Sequence, residues 1–149
     1  MTRIGAILCV ALALGAVLLG PRATREMPDL EVYWQAAGRA AAAEPLYRSD
    51  DRHYQFKYFP AFAILARPLA LLSLDNAKRA WLWISTGALA LFLTLSVALL
   101  PDARKPRWLL MLLAAIVMAK FYAHELVLGQ VNMLFGAAIV GAVTLMRAG

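Results

Sequence analysis

The sequence predicts an all-α fold: a polytopic helical membrane protein of about five hydrophobic helices, with one amphipathic helix lying on the membrane surface. Three observations carry this. Of 149 residues, 62% are hydrophobic and only 16% charged, whereas a soluble domain is nearer half apolar and a quarter charged, and the mean hydropathy is +0.66. The apolar residues come in long blocks, several of which a soluble fold of this length cannot hide at once. The polar residues gather in one long segment, Pro21 to Lys57, which holds six basic and six acidic residues. A typical cytosolic enzyme, a disordered chain and a collagen-like or repeat array are excluded. The net charge of +6 would suggest nucleic acid in a soluble chain. Here the bases are divided among polar loops, so anionic headgroups or a lipid-phosphate ligand are the expected partners, and no nucleic acid is expected.

Block one runs from Ile4 to Gly20 behind Thr2-Arg3. It resembles a signal peptide, but Leu19-Gly20-Pro21-Arg22 is a poor cleavage site, so a retained signal-anchor helix is expected. In the polar segment, Leu30, Tyr33, Trp34, Ala37 and Ala41 share one helical face, and Glu31, Gln35 and Arg39 form a stripe on another. Asp29 follows Pro28 and stands where an N-cap belongs. This is an amphipathic helix whose aromatic side is expected to dip into the interface. Ala42 to Lys57 reads as irregular. Block two is Tyr58 to Leu74, with Pro60, Arg67 and Pro68 inside it. Block three, about Ala80 to Leu100, opens on Trp81 and Trp83 as expected interface anchors. Block four starts at Trp108 and loses hydrophobicity near Lys120; after the polar run Gly129-Gln130-Val131-Asn132, block five is Met133 to Met146. Cys9, the one cysteine, lies in block one and is expected to be a packing residue.

The charges give an incomplete topology. Arg3 inside places 21–57 outside as an extracytoplasmic loop, and Lys78 and Arg79 then fall inside, as the positive-inside rule asks. Simple alternation would next put Arg104, Lys105 and Arg107 outside, against the rule. One block is therefore expected to be re-entrant or half-length, with blocks two and four the candidates.

No glycine-rich phosphate loop, His-x-x-x-His pair or Gly-x-Ser-x-Gly elbow is present. His53 and His124 stand far apart with no ligand cluster, and neither a metal site nor a cofactor is expected. Order matters more: Asp29-x-x-x-Tyr33-x-x-Ala36-Ala37, Pro45-Leu46-Tyr47, Tyr58-x-Pro60, and later Gly129-Gln130-Val131-Asn132 before an apolar helix. This ordered set resembles the start of glycosyltransferase family 87, membrane enzymes of the GT-C fold that use polyprenol-phosphate sugars. The resemblance implies a partial GT-C fold and transfer of a hexose, mannose by family, from a polyprenyl-phosphate sugar to an extracytoplasmic acceptor. It implies a multi-pass protein of the plasma (inner) membrane, its partners the lipid-linked donor and membrane lipids. Family members are larger, so residues 1–149 are expected to form a single transmembrane domain, the N-terminal part of a longer enzyme.

Asp29 matches the family's loop acid by position. Glycosyl transfer needs a base for the acceptor hydroxyl, and partial desolvation at the bilayer surface strengthens a carboxylate in that role. The bland reading is a helix cap, a stabilisation of about 1 kcal/mol; both roles can coexist. The expected substrate-binding residues are Tyr33, Trp34, Arg39, Tyr47, Lys57, Tyr58, Gln130 and Asn132. The aromatics could stack on sugar or isoprenoid, and Arg39, Arg48, Arg52 and Lys57 could neutralise a phosphate. Glu31 is expected to be solvated or at a headgroup, and Arg67 near the cytoplasmic headgroups. Glu125, with Gln130 and Asn132, is either a polar patch facing Asp29 or a helix-to-helix hydrogen-bond set. The alternatives to an enzyme are a small membrane scaffold or lipid-binding module and, behind it, a transporter fragment.

Overall fold

The structure, a computed structural model, describes residues 3–100 and 106–148. Within them the chain forms seven α-helices: α1 (Arg3–Ala23), α2 (Pro28–Ala41), α3 (Pro60–Leu65), α4 (Arg67–Ala70), α5 (Leu74–Ala98), α6 (Arg107–Leu128) and α7 (Asn132–Ala148), with a short 3-10 helix at Ser49–Tyr54. No strand occurs among the described residues. Arg104 and Lys105 lie outside the described residues, as do the side chains of Arg3, Arg52 and His53.

Helix α5 is the axis. Its buried positions Trp81, Leu82, Ser85, Leu89, Leu93 and Val97 follow helical spacing, and α1, α6 and α7 pack around it. Directions follow from named contacts. Gly20, near the end of α1, lies against Leu82 near the start of α5, so these two run antiparallel. Gly136 and Gly141 of α7 approach Phe92 and Leu95, and the Arg147 guanidinium donates to the Leu99 carbonyl at 2.9 Å, so α5 and α7 run parallel. The ends of α1 and α6 meet around Leu19, Ala23, Val127 and Leu128, so those two also run parallel. Helices α2, α3 and α4 gather at the end where α1 and α6 finish.

Two helices, Leu74–Ala98 and Arg107–Leu128, are long and apolar enough to cross a membrane. The surface outside the axis is strongly apolar: Leu18 is 80% exposed, Val117 72% and Leu145 76%. Block two is not the continuous helix its hydropathy suggests. It is split into six residues (α3) and four (α4), about 9 and 6 Å of rise where a bilayer core needs about 30 Å. Pro60 starts one piece and Pro68 follows Arg67 at the start of the other, each in the first turn, where the missing N–H costs nothing.

Four further expectations are corrected. Trp81 is not an interface anchor: it is 4% exposed and tilts against Tyr33, ring centres 5.8 Å apart, whereas Trp83 is 48% exposed. Lys78 does not lie at the end opposite α2. It is 5% exposed, and its Nζ donates to Glu31 Oε1 of α2 at 2.5 Å. Glu31 is thereby paired rather than merely solvated. The aromatic face of α2 turns into protein: Leu30, Tyr33, Ala36 and Ala37 belong to the main core, together with Trp81, Leu126 and Val131.

Candidate functional site

The start of α2 is fixed by a strained residue. Met27 is fully buried with φ 48° and ψ 51°, a left-handed conformation that costs a non-glycine residue about 1–2 kcal/mol. Its N–H donates to the Val127 carbonyl at 2.9 Å, which ties the start of α2 to the end of α6. The helix begins at Pro28, so Asp29 is not its N-cap; Met27 holds that position with no side-chain bond. The fixed φ of proline favours the first helical position and shifts the boundary ahead of Asp29. Asp29 therefore sits in the first turn, where the helix dipole favours an anion.

On the α6 side, Gly129 closes the helix with φ 72°. Its N–H donates to the Leu126 carbonyl (3.3 Å), and the Gln130 N–H donates to the Glu125 carbonyl (3.1 Å), the two bonds of a Schellman cap. A Cβ at Gly129 would stand 2.9 Å from Leu30 Cβ and 3.1 Å from Met27 Cβ. Glycine is thus needed twice, for its φ and for this close approach. The outcome is that the Gly129–Asn132 turn lies on α2, the helix that carries Asp29.

At the start of α2 is a cleft of about 390 Å3, whose lining includes Asp29, Tyr33, Tyr54, Gln55, Lys57 and Tyr58. Four of the expected site residues, Asp29, Tyr33, Lys57 and Tyr58, meet here. Tyr33 is its hub. Its hydroxyl and that of Tyr58 are 2.8 Å apart, and its ring packs edge-on against Tyr58 (5.1 Å) and Phe62 (5.0 Å). Burial pushes the Tyr33 hydroxyl well above the usual phenol range. The bond to Tyr58, the Tyr58 charge and the Asp29 charge add to this, and the Val131 backbone works against it. Tyr47 braces the cleft from behind, its hydroxyl donating to the Tyr58 carbonyl at 2.8 Å. Lys57 is exposed, and Asp29 is half-buried with no side-chain hydrogen bond or ion pair among the described residues. Tyr54 and Gln55 are lining residues the sequence did not disclose, since they fall in a stretch without periodicity.

Other expected residues sit elsewhere. Arg39 grips Asp51 through both guanidinium nitrogens, at 2.5 and 2.6 Å, and reaches the Leu46 carbonyl at 3.4 Å. That hydrogen bond holds the Asp51 carboxyl below its usual range and raises the guanidinium. Trp34 donates its Nε1–H to the Leu72 carbonyl at 3.0 Å and clamps α2 to the segment before α5. Arg48 pairs with Glu44, and Arg67 is exposed beside Gly38, Ala41 and Ala42 at the C-terminal end of α2, far from Asp29 along that helix and not at the end of the molecule where α1 begins. Asn132 donates to Glu125 Oε1 (3.2 Å) and Gln130 Oε1 (2.7 Å), while Glu125 Oε2 is buried without a partner among the described residues. Among the described residues, no group of three His, Cys, Asp or Glu is placed to hold a metal.

Compared with known families, residues 56–149 match Glycosyltransferase family 87. The match spans more than half of the chain. The chain belongs to glycosyltransferase family 87. The matched stretch takes in Lys57, Tyr58, Gln130 and Asn132 and begins after α2, so Asp29 and Tyr33 are brought to the family's segment by the fold. Neither a curated protein nor a solved structure matches the chain. Membership in family 87 gives the class, a membrane glycosyltransferase with a lipid-linked sugar donor.

Proposed function

We propose that the cleft at the start of α2 is where a hexose, mannose by family, passes from a polyprenyl-phosphate sugar to an extracytoplasmic acceptor. The observation that carries this is the meeting of Asp29, Tyr33, Lys57 and Tyr58 in one cleft, at the start of the helix on which the family-matched Gly129–Asn132 turn lies. Asp29 takes the proton of the acceptor hydroxyl as its oxygen bonds to the anomeric carbon. The bond from that carbon to the phosphate oxygen breaks, and its electron pair leaves on the polyprenyl phosphate. Lys57 offsets the phosphate charge. The Tyr33–Tyr58 hydroxyl pair has one proton not used between them, which can be donated to a phosphate or sugar oxygen.

In this reading α1, α5, α6 and α7 cross the plasma (inner) membrane and block two does not. Their 21, 25, 22 and 17 residues rise about 32, 38, 33 and 26 Å, near the hydrocarbon thickness. The basic residues after α5 then move to the side of Arg3, while Lys78 and Arg79 come out on the α2 side, opposite to the expectation from simple alternation. Arg107 and Arg147 fall at the same end as Arg3, as the positive-inside rule asks. On the other side Arg39, Arg48 and Lys78 are each paired with a carboxylate.

The test is transfer from labelled polyprenyl-phosphate mannose by membranes carrying the full chain. Asp29→Asn is expected to lower kcat about 100-fold or more with little change in KM, the range for losing a general base. Lys57→Gln is expected to raise the donor KM. Near-normal turnover by Asp29→Asn would remove the base from the account.

A further inference from the structure

A second groove lies between the ends of α1 and α6. It encloses about 550 Å3, and Leu19, Arg22, Glu26, Lys120, Phe121 and His124 are among its walls. Lys120, His124 and Leu128 follow at four-residue steps, so they share one face of α6. Lys120 stands eight residues before the end of α6, about 12 Å down the axis. A lysine at that depth of a membrane is costly unless an anion or water meets it. No carboxylate does so here. Among the described residues the ion pairs engage Arg39, Arg48 and Lys78, and neither Arg22 nor Lys120 takes part in one. Glu26 is the groove's single carboxylate against these two cations, so the groove keeps a net positive charge.

Below the charges the surface is apolar and open. Ile116 (62% exposed) and Val117 (72%) lie one turn beneath Lys120 and Phe121 on the same side of α6. Cations above a bare apolar stripe match an amphiphile with a phosphate head. We propose that an anionic phospholipid of the bilayer resides here. Its phosphate lies between Arg22, Lys120 and His124, and its acyl chains run down the Ile116–Val117 side of α6. The sugar donor is a different molecule in a different place. This groove shares no residue with the Asp29 cleft, and the Met27–Val127 hydrogen bond and the Gly129–Leu30 contact stand between them.

The inference rests on α1 and α6 being membrane-embedded. It is tested with the full chain in nanodiscs, by native mass spectrometry of retained phosphatidylglycerol, phosphatidylcholine and polyprenyl phosphate in separate arms. Phosphatidylglycerol is expected to be retained over phosphatidylcholine. Its apparent affinity is expected to fall about five-fold for Arg22→Gln or Lys120→Gln and about thirty-fold for both. Arg25→Gln, whose side chain does not line the groove, should leave it unchanged. Equal retention of the two phospholipids, or a double variant that binds like the parent, overturns the proposal. So does polyprenyl phosphate displacing phosphatidylglycerol with the same dependence on Arg22 and Lys120, which would make the groove a donor site. Carbonate extraction of the same membranes reports separately whether the chain is embedded, so failure of the membrane reading is told apart from failure of the lipid site.

Discussion

Tyr33 shows how one side chain serves packing and site together. Its ring joins α2, α3 and α5, while its hydroxyl meets Tyr58 at the cleft. Because its folded pKa is raised, the neutral phenol is favoured in the fold over the unfolded chain. That contribution is complete below the ordinary value of 10.0 and is lost as pH climbs above it. Thermal unfolding in detergent should therefore give a midpoint that falls as pH rises beyond about that value, and Tyr33→Phe should blunt the fall. Arg39 makes a different kind of residue-scale prediction. Its two-pronged grip on Asp51 needs a planar fork, which lysine lacks. Arg39→Lys should cost up to about 1 kcal/mol and loosen the 42–57 loop, read as faster amide exchange there, with the Asp29 chemistry retained. Asp29, Tyr33, Lys57 and Tyr58 stood out in the sequence as candidates, and the fold brings these four to one cleft. Arg39 and Trp34 stood out as well, but the fold takes them elsewhere. Their partners, Asp51 and the Leu72 carbonyl, come from segments that fold back over α2, and no spacing along the chain announces them.

At the scale of elements, the long helices were readable from apolar blocks, and α2 from its periodicity. Block two was one of two candidates for a half-length segment, and hydropathy alone could not choose between them because it ignores backbone chemistry. Two prolines cut an apolar stretch into pieces too short to span, and those pieces pack on α2 instead. The α2 face was misassigned. Amphipathicity shows that a helix buries one side, but not whether lipid or protein covers it, and here α5, α6 and the 131 turn do. The junction between α2 and α6 hangs on Gly129. Gly129→Ala must hold a side chain at φ 72° and push Leu30 from 2.9 Å. The conformation alone costs about 1–2 kcal/mol, and the clash adds to it. A lowered unfolding midpoint, with sugar transfer falling alongside, is the expected outcome. A variant as stable as the parent would show that the turn is not seated on α2 as described.

At the scale of the molecule, treating α3 and α4 as surface pieces puts the Asp29 cleft and the Gly129–Asn132 turn at the same end of the helices. Alternation of five equal spans would have separated them, and it left the basic residues after α5 on the wrong side. The proposed topology gains the basic residues after α5 on the side of Arg3 and gives up Lys78 and Arg79, which the fold ties to α2. The central claim is that Asp29 and the Gln130 turn face one compartment, outside the membrane, at the same end of the helices. The most direct measurement is labelling of single cysteines at Gln55 and Gln130, in a chain whose Cys9 is replaced by alanine, with a membrane-impermeant maleimide in sealed right-side-out vesicles. The account predicts that both positions label from outside. Gln130→Cys labelling only after the membrane is opened, with Gln55→Cys labelled from outside, would contradict it.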